Sequence, residues 1–83
     1  MDEYEVAKCM KDIMLYLRDG SYNGEIGLSD LKLKHSYPQN VLVAATKALL
    51  ENHYVLGTKN EGNNDTSYLL SGLTAKGQKY LKG

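Results

Sequence analysis

Pro38-Gln-Asn-Val-Leu-Val-Ala-Ala-Thr-Lys-Ala-Leu-Leu-Glu-Asn-His-Tyr-Val-Leu-Gly-Thr58 holds a helix and the start of a strand in one run. Proline suits the first turn of a helix, because its ring presets φ and its missing N–H needs no partner there. Val41, Leu42, Ala45, Ala48 and Leu49 then recur on one face at about 100° per residue, which predicts a helix over residues 38–53. Tyr54, Val55, Leu56 and Thr58 are strand formers, as are Thr66, Tyr68, Leu69 and Leu70. Asn60-Glu-Gly-Asn-Asn-Asp65 between them tolerates positive φ, so the two strands read as a hairpin with a polar tip.

On the N-terminal side, residues 2–19 contain no Gly or Pro, and Val6, Met10, Ile13 and Leu17 recur at helical spacing, with Cys9, Met14 and Tyr16 widening the stripe. Asp2, Glu3 and Glu5 suit the positive end of this helix's dipole and Arg18 the negative end, and Gly20 stops it. Three glycines between residues 20 and 27 predict a loop, with one or two residues around Ile26 in extended pairing. Ser29 reads as the N-cap of a helix of about two turns that ends near His35, and a tight turn, His35 to Pro38, leads into the next helix. On the C-terminal side, Thr74 caps a short last helix that docks through Leu73, Tyr80 and Leu81.

The order helix, helix, helix, strand, strand, helix is that of an α+β winged helix-turn-helix: three helices, a two-stranded wing and a C-terminal helix, with the third helix as recognition helix. The expected core is Val6, Met10, Ile13, Leu17, Leu31, Leu42, Ala45, Leu49, Val55, Leu69 and Leu81. At 83 residues, 42% of them hydrophobic, residues 1–83 form one domain held by apolar packing. A single cysteine excludes an internal disulfide or a thiolate zinc cage. Ten basic residues cancel ten acidic ones, unlike a general polyanion binder. No run is apolar enough to span a membrane, and the acidic Met-Asp-Glu-Tyr-Glu start is unlike a signal peptide, so a soluble cytoplasmic protein with no membrane association is expected.

Two segments add a resemblance. Ala48-Leu-Leu-Glu-Asn-His-Tyr-Val55 resembles the end of a winged-helix recognition helix, and Leu73-Thr-Ala-Lys-Gly-Gln-Lys-Tyr-Leu81 is similar to the Leu-Thr-x-x-Gly-x-x-Tyr/Phe-Leu segment that follows the wing in many such domains. Together with the element order they resemble the YjcQ-like small winged-helix proteins of Gram-positive bacteria and their prophages. The resemblance implies a small DNA-binding regulator of bacterial or phage origin. Where that pattern often has Gly before the wing, this chain has His53, and Asn52 is the residue expected to take positive φ instead.

For a recognition helix, the residues opposite the apolar arc matter: Asn40, Val43 and Lys47. Gln39 and Asn40 carry the paired donor and acceptor that suit adenine, and Lys47 reaches a phosphate or a guanine edge. Ser36 and Tyr37 are candidate phosphate contacts. The competing reading makes Ser36 and Gln39 helix-start residues, packs Tyr37 on the first helix and leaves Lys47 on a solvated face. In the wing, Lys59, Asn60, Asn63, Asn64 and Thr66 could lie along a backbone or in a minor groove, or simply form a solvated turn. Residues 1–30 hold seven acids against three bases, a balance of −4, and residues 31–83 three acids against seven lysines, a balance of +4; the recognition half therefore suits a polyanion. Lys76, Lys79 and Lys82 extend that charge or offset the last helix's dipole.

Val43, Leu50 and Tyr54 fall on one outward stripe, which supports a rival: a protein-interaction module that keeps the fold without binding DNA. In a homodimer the first helix is the expected seam. An enzyme is not indicated. His35 and His53 lack companion ligands for a metal, Cys9 lies on an apolar stripe, and the glycines near residue 24 do not follow a strand as a phosphate loop would. The expectation is duplex DNA as partner, bound weakly and in a salt-sensitive way because few cations are available, with no catalytic residues, metal or cofactor.

Overall fold

A computed structural model describes residues 3–20, 24–31, 33–62 and 66–82. It is an α+β arrangement of three helices and a three-stranded antiparallel sheet. Helix α1 (Glu3–Asp19) has Glu3 and Glu5 in its first turn and Arg18 in its last, charges that oppose its dipole. Cys9, Ile13, Met14 and Leu17 are its buried residues along with Asp12, while Val6 and Met10 pack at the margin. Ile13 and Leu17 are thus buried as expected, and the burial is completed by Cys9 and Met14 of the widened stripe rather than by Val6 and Met10. Gly20 follows with φ 66, and a Cβ there would meet no atom within 4 Å. Backbone conformation alone explains this glycine.

Strand β1 (Ile26–Gly27) pairs Ile26 with Leu70 and Gly27 with Leu69, as the extended residues around Ile26 lead one to expect. Beyond it the expectation fails. In place of a two-turn helix capped by Ser29, the structure has one 3-10 turn (Leu28–Asp30). Asp30 Oδ2 accepts the N–H of Gly27 at 3.3 Å, and Leu31 is already extended, with φ −70 and ψ 121. Residues 31 and 33–38 take no helical turn. The sequence carries a competing signal: Leu31 and Leu33 alternate with lysines, a period of two rather than a helical one. Both are packed against the core. Tyr37 precedes a proline, which disfavours helical backbone at that position.

Helix α2 (Gln39–Glu51) starts one residue later than expected, with Pro38 as the N-cap. The Pro38 carbonyl accepts the N–H groups of Val41 and Leu42. Its apolar face buries Val41, Ala45 and Leu49 against α1, and Thr46 is buried with its hydroxyl donated to the Leu42 carbonyl at 2.8 Å. The helix ends in a double closure: His53 N–H donates to Leu50 O and Tyr54 N–H to Leu49 O, the Schellman pattern. The left-handed residue in it is His53, φ 60, whereas Asn52 has φ −91. Asn52 is diverted because its side chain donates to the Ala48 carbonyl at 2.8 Å and its own N–H to the same oxygen.

Strands β2 (Val55–Glu61) and β3 (Thr66–Leu73) pair from Val55↔Leu73 to Glu61↔Thr66, with an irregularity between Leu56 and Gly57. The sheet order is β1-β3-β2, so the hairpin is extended by β1 rather than standing as two strands. Tyr68 and Leu70 point inward and Leu69 is only half-buried, because neighbouring strand residues face opposite sides. The expected core position Leu69 therefore passes to Leu70. Gly57 sits where a Cβ would press on the Leu69 carbonyl and on the Leu70 and Leu50 side chains.

Helix α3 (Ala75–Lys82) is capped by Thr74, whose Oγ1 accepts the Gly77 N–H at 3.0 Å, as its sequence suggests. Thr74 also ties α3 to the end of α2: its N–H donates to Tyr54 O and its hydroxyl to His53 O. Gly77 is buried, and a Cβ on it would run into the Tyr54 carbonyl and Leu73. The Leu-Thr-x-x-Gly segment is thus a packing device, in which a cap and an absent side chain let α3 lie against the α2–β2 corner.

Candidate nucleic-acid interface

The candidate recognition face is built on α2. Gln39, Asn40 and Lys47 are exposed, and Asn40 and Lys47 lie on one side by their spacing of seven. Val43 between them is half-buried. The first turn of α2 has no side-chain cap, so the positive end of its dipole lies beside Gln39 and Asn40. Lys47 Nζ lies 3.9 Å from Glu51 Oε1, with both side chains about 60% exposed. A solvated pair of this kind is worth little and leaves the lysine able to change partner.

Ser36 is exposed immediately before α2. Tyr37 is not available as a phosphate contact through its hydroxyl, which is donated to Asp12 Oδ2 at 2.7 Å. Burial, the bond to Asp12 and that carboxylate's charge together push the phenol above its usual range, so it stays a neutral donor. The Tyr37 hydroxyl is therefore engaged with α1. The pairing had one signal in the sequence: Asp12 lies on the buried side of α1, between Cys9 and Ile13, where an acidic side chain needs a donor.

In the hairpin, Lys59 and Asn60 are exposed residues of β2. Asn63 and Asn64 lie outside the described residues, as does the side chain of Thr66. The outward apolar strip also changes character. Val43, Leu50 and Tyr54 are half-buried; Leu50 and Tyr54 pack against the core, and a Cβ on Gly57 would sit 3.2 Å from Leu50. β2 thus covers the end of α2, which a helical wheel cannot register.

Elsewhere, Cys9 is fully buried. Burial first, and then the charges of Asp12 and Glu5, push its thiol up to about 12, which suppresses thiolate chemistry. His35 stands edge-on to Tyr37, centroids 6.4 Å apart. Among the described residues no group of three or more His, Cys, Asp or Glu side chains could hold a metal ion, and no helix is long and apolar enough to cross a membrane. No protein-family model matches the chain, and no curated protein matches its sequence.

Proposed function

We propose that the chain is a small winged-helix DNA-binding protein, acting as a transcriptional regulator of the bacterial or phage kind its sequence resembles. The observation that carries this reading is the placement of α2. It follows β1 and an ordered turn, buries one face on α1, runs into a hairpin, and leaves Gln39, Asn40 and Lys47 on its exposed side. A helix held in this way can offer amide and ammonium groups to base edges and phosphates in a major groove, with Ser36 at its start and Lys59 and Asn60 on the wing. The helix that would normally precede it is reduced to a 3-10 turn. The bond from Tyr37 to Asp12 takes over the task of fixing the chain at the entrance to α2. With so few cations, duplex binding is weak and falls steeply with salt.

The test is an amide NMR titration with a short duplex at low and then physiological salt. Shifts confined to residues 36–47 and 59–62, fading as salt rises, are expected. An unchanged spectrum at low salt overturns the reading, because even non-specific contact registers there.

A further inference from the structure

Away from α2, the helix α1 carries a second stripe, Tyr4, Ala7, Lys8 and Lys11, at spacings of three and four residues. These residues and Tyr80 of α3 line a groove between the two helices, and among the described residues no carboxylate lines it. Both rings at its rim are exposed, Tyr4 by 76% and Tyr80 by 44%. Tyr80 is held in place: its ring lies 4.9 Å from that of Tyr54, and the Lys76 ammonium sits 5.2 Å from the Tyr54 centroid.

We propose that this groove docks an acidic peptide segment of another protein, with carboxylates against Lys8 and Lys11 and an apolar side chain between Tyr4 and Tyr80. Lys8 and Lys11 are separated by about 4.5 Å of helix rise, close enough to be met by carboxylates on one short segment. Tyrosines supply apolar contact at small entropic cost, and a flexible lysine stem can lie on apolar surface while its ammonium meets the charge. A second copy of the chain is a poor occupant, since a two-fold interface sets the same patch against itself and would bring lysines against lysines.

The experiment uses the full chain, labelled with ¹⁵N, and three probes: the blocked peptide Glu-Glu-Phe-Glu-Glu-Phe-Glu, the same peptide with Lys for every Glu, and an oligothymidine of about a dozen nucleotides. The acidic peptide is expected to shift the amides of Tyr4, Lys8, Lys11 and Tyr80 and to saturate below millimolar concentration. Lys8→Gln with Lys11→Gln should weaken it about tenfold at an unchanged thermal midpoint, whereas Lys47→Ala should leave it untouched. The proposal is overturned by no shift at millimolar acidic peptide, by an equal response to the lysine peptide, or by oligothymidine moving the same amides at lower concentration. Because the duplex titration reads residues of α2 and β2, either site can fail without the other.

Discussion

The Tyr37 hydroxyl donates to Asp12 Oδ2 across 2.7 Å, joining the segment before α2 to the middle of α1. Asp12 is 9% exposed, so removing the donor leaves a carboxylate oxygen short of its partner in a mostly dry place. Tyr37→Phe should cost about 1–3 kcal/mol in urea unfolding. Asp12→Leu combined with Tyr37→Phe should cost less than Tyr37→Phe alone, since the unpaired charge is then absent. Equal losses in the single and double variants would show that the bond contributes packing rather than polar satisfaction.

Cys9 gives stability a dependence on alkaline pH. Its thiol ionises near 9.0 when unperturbed and is held up to about 12 in the fold. Between those values the folded chain keeps a proton that the unfolded chain has lost. The contribution is complete below pH 9 and drains away as pH rises toward 12, at up to about 1.4 kcal/mol per pH unit. Tyr37, also raised, adds to the loss above its own usual range. Urea midpoints measured from pH 8 to 11 should fall, and fall less steeply in Cys9→Ala. A flat profile would mean that the thiol is hydrated.

His53 occupies the left-handed position that ends α2, φ 60. Side chains with a Cβ pay roughly 1–2 kcal/mol there, and glycine does not. His53→Gly should therefore raise stability by about 0.5–1 kcal/mol, seen as a higher thermal midpoint. Asn52→Gly lacks that benefit and, by losing the side-chain bond to Ala48, should lower it.

The long elements could be read from spacing because each satisfies one period over many residues: α1, α2 and the two strands of the hairpin. Sequence and structure part where two local signals compete. Ser29 looks like a helix cap, but Leu31 and Leu33 recur with a period of two, and both pack partly buried against the core. Asn52 is the better left-handed residue by type, but its side chain finds the Ala48 carbonyl, which passes the strained position to His53. Leu50 lies outside the apolar arc of its own helix, yet β2 returns over it, a tertiary event no single-helix projection contains. For the candidate site, Gln39, Asn40 and Lys47 could be placed from helical geometry alone. The hydrogen bond of Tyr37 to Asp12, 25 residues away, and the shared lining of one groove by Tyr4 and Tyr80 could not.

Gly77 and Thr74 should be unequal in their effects. Thr74→Ala removes the acceptor for Gly77 N–H and the donor to His53 O, at a cost of about 1–2 kcal/mol. Gly77→Ala must move the Tyr54 carbonyl or the whole of α3. It should cost more, about 2–4 kcal/mol, despite the better helix propensity of alanine. Chemical denaturation ranks the pair, and a milder Gly77→Ala would show that α3 shifts cheaply.

Lys47 and Glu51 offer the sharpest test of the DNA reading, because their ion pair is solvated and its loss should leave the fold intact. Lys47→Ala removes one cation from the exposed face of α2 and should weaken duplex binding at low salt while lowering the salt dependence by about one phosphate contact. Glu51→Gln acts in the opposite sense: it releases Lys47 and deletes an anion that repels the phosphate backbone. It should tighten the same duplex by about two- to fivefold, or roughly 0.4–1 kcal/mol. Fluorescence anisotropy with one labelled duplex at several salt concentrations measures both. Opposite changes in affinity at equal thermal midpoints are expected; two variants that bind alike would place the DNA contact elsewhere than on this face of α2.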